Sequence, residues 1–190
     1  MPNNSLVLQV ESHLGANSAR PGGEGDTIDG MRPKVVAEPQ SAEALTSLLG
    51  WASQEGLTVS VRGGGTKLDW GGVLGAVDLV VSTAGLSSVV AHRHGDLTAT
   101  VEAGATLAGV NEALGAHRQW LPLDPPWAAR ATIGGIVATN DSGPSRYRYG
   151  APRDVIIGVT VVRTDGKMAK AGGIVVKNVA GYDLSRLMTG

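Results

Sequence analysis

Three consecutive glycines, Gly63-Gly64-Gly65, follow directly on the strand-like segment Thr58–Val61 and Arg62. Glycine packs nothing in a strand and costs backbone entropy, so the chain must leave its sheet here. Once it has left, successive backbone N–H groups can turn toward one point with no Cβ in the way. Such a concavity binds phosphate oxygens, and each hydrogen bond to a charged oxygen contributes about 1.5–3 kcal/mol. Arg62, Thr66 and Lys67 add charge and a hydroxyl donor at the rim. The competing reading is a plain flexible turn.

Two familiar nucleotide fingerprints do not fit. Counting G-x-G-x-x-G from Gly63 puts Leu68 where the third glycine belongs, so this is not a dinucleotide turn of the doubly wound kind. The order Gly65-Thr66-Lys67 reverses the Gly-Lys-Thr/Ser of a phosphate-binding loop.

The flanking segments define the architecture. Val35-Val36-Ala37, closed by Pro39, reads as a strand. Ser41 is placed to cap a helix with Glu43 in its first turn, and Ala44, Leu45, Leu48, Leu49 and Ala52 recur at helical spacing up to a stop at Gly56. With Thr58–Val61 this makes a β-α-β unit, so the two strands are expected to be parallel. Later strands are expected at Val77–Ser82, Val155–Arg163 and Ile174–Val176. Hairpins are expected from Ser88–His92 with Leu97–Glu102, and across Asp165-Gly166 to Lys167–Ala171. Helices are expected at Leu107–Ala116, Thr132–Ala138 and Asp183–Met188. Parallel pairing early and antiparallel pairing late give an α+β fold in two lobes. Residues 1–33 read as a loosely ordered lead-in and 34–190 as the folded domain.

A second glycine segment, Ala131-Thr132-Ile133-Gly134-Gly135-Ile136, offers Thr132 as a helix cap. The first free N–H groups beyond it, on Ile133, Gly134 and Gly135, suit an anion or a ring edge. The side-chain-free surface of the two glycines also lets a flat ring pack closely. Alternatively, these glycines serve only close helix–sheet packing. The following Asp141-Ser142-Gly143-Pro144 is a turn.

Composition removes several classes of function. With no cysteine there is no disulfide, thiolate zinc site, iron–sulfur cluster or catalytic thiol. The lack of cysteine agrees with a cytoplasmic location. A formal net charge of −1 gives no basic field for nucleic acid. No basic segment leads into an apolar run near the start, and the longest apolar stretches, such as Val155–Val162, are strand-sized, so no integral membrane segment is expected. The 28 glycines keep no three-residue period, and 42% of the residues are apolar, as in a folded domain.

The remaining tempting residues have plain readings. His92 and His94 share a face of the expected hairpin, but no third ligand is evident and no metal is expected. His117 suits a helix C-terminus. Arg146, Arg148 and Arg153 with Tyr147 and Tyr149 read as a solvated loop over a ligand or a subunit contact. Asp124-Pro125-Pro126-Trp127 is a stiffened turn. Lys177 and Asp183 anchor a turn and cap the last helix.

Five stretches, taken in order, resemble the FAD-binding domain of the vanillyl-alcohol-oxidase/p-cresol-methylhydroxylase superfamily, and more narrowly the FAD-binding subunit of bacterial glycolate oxidases. They are Arg62–Gly71, Leu121-Pro122-Leu123-Asp124-Pro125-Pro126, Thr132-Ile133-Gly134-Gly135, Arg148–Asp154 and Val176–Leu184. The resemblance runs from about Asp29 to the end of the chain. It implies a two-lobed PCMH-type fold with FAD between the lobes. Arg62, Gly63, Gly64, Gly65 and Thr66 would hold the pyrophosphate. Thr132, Ile133, Gly134, Gly135, Ser142 and Gly143 would line the pyrophosphate and flavin, and Ile174, Val175 and Val176 would make main-chain contacts.

Relatives that attach flavin covalently often use a histidine near the glycine loop. Residues 62–71 contain none, so the FAD is expected to be non-covalent. The resemblance stops within the family's last flavin-domain motif and includes nothing of its substrate domain. No catalytic acid or base is therefore carried over. The implied function is FAD binding in an oxidoreductase acting on a small 2-hydroxy acid such as glycolate, with sister subunits as partners. The alternative is an accessory FAD-binding or assembly subunit without its own turnover.

Overall fold

The computed structural model describes residues 2–173 and 183–190. The chain divides into two compact units, Met1–Leu86 with Val162–Met168, and Ser87–Val161 with Ala169–Gly190. It is mixed α and β, with parallel and antiparallel pairing both present, as the sequence leads one to expect. Among the described residues no helix is long and apolar enough to cross a membrane.

The first unit is built on a four-stranded sheet of β1 (Ala19–Pro21), β2 (Val35–Ala37), β3 (Val59–Arg62) and β4 (Leu79–Ser82), in the order β1-β2-β4-β3. The strands β2 and β3 are parallel, as expected of a β-α-β unit. They are not neighbours, because β4 lies between them in register with both: Leu79 stands opposite Val35 on one side and Val59 on the other. Every residue of β4 is buried, as the continuous apolar run Leu79-Val80-Val81 requires of a central parallel strand. Leu79 and Val81 face a cluster with Leu48, Leu49 and Ala52 of α2 (Ala42–Gln54), while Val80 packs with Ile28, Val36 and Val77. Full burial of a side chain such as Leu48 or Leu79 contributes about 1.5–3 kcal/mol. Helix α2 starts where expected: Ser41 Oγ accepts the Ala44 N–H at 3.1 Å. Gly56, at φ +66°, follows its end.

The lead-in departs from expectation. Residues Pro2–Leu14 form helix α1, and its Val7 and Val10 are buried in the same cluster as α2. Leu6, Val7, Val10 and Leu14 recur at helical spacing, but the polar residues around them mask the stripe. Strand β1 then pairs antiparallel with β2, Ala19 opposite Ala37.

A single carboxylate ties together the N-terminal ends of the three parallel strands. Asp78 accepts the Thr58 N–H at 2.8 Å and the Thr58 hydroxyl at 2.7 Å, and pairs with Lys34 Nζ at 2.7 Å. These donors, the Lys34 ammonium first, hold its carboxyl down at about 2.

The second unit begins with an antiparallel hairpin of β5 (Val89–Arg93) and β6 (Thr98–Val101), turned through His94–Asp96 and irregular in register between Val89 and Ala91. Helices α3 (Leu107–Gly115) and α4 (Ile133–Thr139) follow, capped by Thr106 and Thr132, whose backbones form an antiparallel bridge. The core here comprises Leu107, Leu123, Ala131 and Ile136 in one cluster and Ala105, Val110 and Leu114 in another.

Two short helices, α5 (Arg146–Tyr149) and α6 (Pro152–Val155), come next. The strand expected over Val155–Arg163 is shorter, β7 at Gly158–Val162, because Pro152 starts a helical turn that ends at Val155. It returns through Asp165-Gly166 to β8 (Met168–Gly172). The tip of this hairpin, Val162–Met168, belongs to the first unit. Helix α7 (Leu184–Leu187) is capped by Asp183, whose Oδ1 accepts the Ser185 N–H at 3.0 Å. The strand expected at Ile174–Val176 lies outside the described residues.

Candidate functional site

Gly63, Gly64 and Gly65 leave the C-terminal end of β3 as an exposed bend. Of the three, Gly65 carries the left-handed conformation, with φ +65°. Below them the Arg62 carbonyl accepts the Thr83 N–H at 2.9 Å, which fixes the last residue of the strand. Among the described residues none accepts a hydrogen bond from the N–H of Gly63, Gly64, Gly65 or Thr66. Four neighbouring donors on an exposed bend, with no side chain on three of them, form a cradle for an anion. Beyond the bend, Lys67 Nζ lies 3.2 Å from Thr66 Oγ1 and 5.9 Å from the centre of the Trp70 ring.

Arg62 is not the free rim cation that its position in the sequence suggests. Its Nη2 donates to Asp26 Oδ1 at 2.9 Å. Arg20 grips the same carboxylate with both Nη atoms, at 2.6 and 2.8 Å, and the Gly23 N–H donates to Oδ2 at 2.9 Å. Asp26 is only 5% exposed. The Arg20 guanidinium, then the Gly23 N–H and the Arg62 guanidinium, hold its carboxyl far below the usual range against the effect of burial. Sequence reasoning missed Asp26 and Arg20 altogether. Both lie in the segment read as a lead-in, and no spacing rule links Asp26 to Arg62.

The second glycine segment behaves differently from the expectation. Thr132 does cap α4, its Oγ1 accepting the Gly135 N–H at 3.4 Å. The N–H groups expected to be free are taken, however: Ile133 donates to the Ala105 carbonyl at 2.8 Å and Gly134 to that of Ala103 at 2.7 Å. A Cβ on Gly134 would stand 2.8 Å from the Cβ of Ala103, so this glycine is required by packing. A Cβ on Gly135 would meet only Thr132 Oγ1, at 3.3 Å.

Asp124 organises the next turn. Its Oδ1 accepts the Gly143 N–H at 3.1 Å and its Oδ2 the Ser145 N–H at 3.0 Å. Desolvation opposes the charge, and these donors, Ser145 foremost, outweigh it and keep the carboxyl below its ordinary value. Gly143 is a packing glycine too, since a Cβ there would overlap the Asp124 carbonyl. Ser142 Oγ, by contrast, is buried with no hydrogen-bond partner among the described residues. Ile174, Val175 and Val176 lie outside the described residues, as does Lys177.

The histidines gather, although not as a helix cap. His117 stacks on His94 with ring centres 4.1 Å apart and 5° between planes, and the His92 ring lies 5.3 Å from His117. His92 Nε2 is 2.8 Å from Gln119 Oε1. Two parallel stacked rings cannot both aim a lone pair at one ion, and among the described residues no group of three or more His, Asp or Glu is placed to hold a metal. The Arg146–Tyr149 segment, expected as a loop, is helix α5, with Tyr147 98% exposed and Tyr149 packed edge-on to Trp120 at 5.4 Å. The Arg153 guanidinium donates to the Thr189 carbonyl.

The model for the FAD binding domain family matches residues 33–183. The chain is 34% identical over 157 residues to a D-lactate dehydrogenase of Archaeoglobus fulgidus, covering 82% of this chain and 35% of that protein. It is 44% identical over 96 residues to the glycolate oxidase subunit GlcE of Escherichia coli, covering 50% of this chain and 27% of that subunit. Among solved structures, an alkyldihydroxyacetonephosphate synthase superposes over 98% of this chain and 37% of its own, with a TM-score of 0.78 at 17% identity. The chain thus spans about a third of the length of the curated relatives it matches.

Proposed function

The chain belongs to the FAD binding domain family, and from that membership we propose that it is the non-covalent FAD-binding part of an oxidoreductase acting on a small 2-hydroxy acid. The observation that carries the reading is the row of backbone N–H groups on exposed Gly63, Gly64 and Gly65 and half-buried Thr66, none of them engaged among the described residues. Such a row suits the two negative phosphates of FAD. Lys67 adds positive charge beside it. In the second unit the proposed cofactor contacts are Gly135, where a Cβ would meet only Thr132 Oγ1, and Ser142, whose buried Oγ has no partner among the described residues, with Thr132 capping the helix at Gly135 and Ile133 at its first turn. Gly134 and Gly143 contribute through packing. FAD, when bound, supplies the two-electron chemistry, and the chain's own residues bind and orient it.

The substrate class rests on the relatives. Lactate and glycolate, the acids in the names of the two curated relatives, are both 2-hydroxy acids. The similarity to a glycolate oxidase subunit favours a second reading, an accessory FAD-binding subunit whose sister carries out substrate oxidation. A cytoplasmic location accompanies either reading.

The test is the absorbance spectrum of the purified protein, followed by dye reduction. Bound flavin gives bands at about 375 and 450 nm, and a colourless protein that takes up no added FAD would remove the proposal. Glycolate- or lactate-dependent dye reduction with this protein alone supports the enzyme reading. Reduction that appears only when a sister subunit is added supports the accessory one.

A further inference from the structure

We propose that Asp26 is a positioning residue for the glycine bend, acting on it through Arg62. The inference rests on the reading that the bend takes the FAD pyrophosphate, and it assigns a role to a residue outside the matched segment 33–183. The geometry runs in one line. Asp26 is buried, and its Oδ1 accepts from Arg62 Nη2 at 2.9 Å. A Cβ built on Gly65 would stand 3.8 Å from Arg62 Cδ, so the aliphatic stem of Arg62 runs beneath the left-handed residue of the bend. The Arg62 side chain is itself only 18% exposed. A guanidinium pinned at its tip and seated at its stem acts as a strut under three residues that have no side chains of their own.

Arg20 makes the arrangement asymmetric. It holds both oxygens of Asp26 from the more solvent-exposed side, with 55% of its side chain exposed. Two guanidiniums share one carboxylate, so the cluster keeps one positive charge beside the bend. Arg20 and the Gly23 N–H orient Asp26, and Asp26 orients Arg62. The alternative is that Asp26 only neutralises Arg62 and thereby weakens a phosphate ligand. The two ideas predict opposite signs for the same substitution.

The experiment uses the 190-residue chain with Asp26→Asn, Arg62→Met and Arg20→Gln. Without flavin, backbone order parameters of Gly63–Thr66 are measured by 15N relaxation. Wild type is expected near the rigid value of about 0.85, Asp26→Asn and Arg62→Met below about 0.6 and Arg20→Gln between them, with β4 unchanged in all four. Arg62→Met keeps the aliphatic stem and leaves Asp26 paired with Arg20, so it reports on the strut even if Asp26→Asn does not fold. With FAD, the dissociation constant of Asp26→Asn is expected to rise about tenfold, as for loss of one charge-assisted contact. Tighter FAD binding by Asp26→Asn, or unchanged order in both Asp26→Asn and Arg62→Met, overturns the positioning role. A wild type that takes up no FAD while the order parameters behave as expected overturns the pyrophosphate reading and leaves the strut standing.

Discussion

Asp78 takes two hydrogen bonds from one residue, accepting the backbone N–H of Thr58 at 2.8 Å and its hydroxyl at 2.7 Å. Thr58 immediately precedes β3 and Asp78 immediately precedes β4, so the carboxylate sets the register of the two strands from their N-terminal ends.

This has a pH consequence. The Asp78 carboxyl titrates at about 2 in the folded chain, against about 3.9 in an unfolded one. A folded pKa below the unfolded value contributes stability that is present above the unfolded pKa and lost as pH falls through the folded one. Asp26 shifts in the same direction. The first unit should therefore lose stability between about pH 4 and pH 2. Urea unfolding followed at a series of acid pH values checks it. Asp78→Asn should flatten the slope, and a slope equal to wild type would count against the assignment.

The left-handed turn belongs to Gly65, at φ +65°. A β-branched residue there is strained by about 1–3 kcal/mol whatever space surrounds it. Gly65→Val should lower FAD affinity by at least tenfold, roughly the weight of one lost contact to a charged oxygen, while far-ultraviolet circular dichroism stays near wild type. Flavin fluorescence titration gives the affinity. Unaltered binding in a folded variant would show that the bend does not take the phosphates.

The paired glycines of α4 should separate cleanly. Gly134→Ala drives a methyl into Ala103 and should cost about 1–3 kcal/mol of stability with no flavin present. Gly135→Ala meets only the Thr132 hydroxyl and should cost well under about 1 kcal/mol, its larger effect falling on FAD affinity. Denaturant curves of the FAD-free variants measure the first difference and equilibrium titration the second. Equal destabilisation by both would mean that Gly135 is a packing residue as well.

The flavin should come off under denaturing acid. The stretch 62–71 offers neither histidine nor cysteine for attachment. After acid precipitation, FAD should be recovered intact in the supernatant by chromatography. Yellow colour retained in the pellet would point to a covalent link elsewhere, with His92, His94 and His117 the first residues to examine.

Much of this structure was legible in the sequence because the signals were local. The Ser41 cap, the Thr132 cap, the hairpin turn at Asp165-Gly166 and the bend after β3 are each set by a few adjacent residues, and each is found where expected. The misses have a common cause in long-range pairing. The apolar stripe of α1 becomes convincing only once α2 is there to cover it. The link from Asp26 to Arg62 joins residues 36 positions apart. The N–H groups at the start of α4 read as free because nothing in the sequence says that Ala103 and Ala105 will run alongside them. A glycine kept for close packing and a glycine kept for a left-handed turn look the same in one sequence. Only the neighbouring atoms tell Gly134 from Gly65.

The strand order of the first unit also constrains how the chain can assemble. The strands β2 and β3 are both partners of β4 and not of each other; β2 has β1 on its other edge, with Pro21 opposite Val35, whereas among the described strands β3 pairs with β4 alone. During synthesis β2 emerges with β1 already there to pair with it, but β3 emerges before its partner β4 exists. The antiparallel pair β1–β2 can form early, but the parallel pairing waits for the central strand, and a loop must close before it forms. Contacts of this separation slow folding. The interval before Leu79–Ser82 arrives is when β3 has both edges bare and β2 one, and it is when this chain most needs protection from its neighbours.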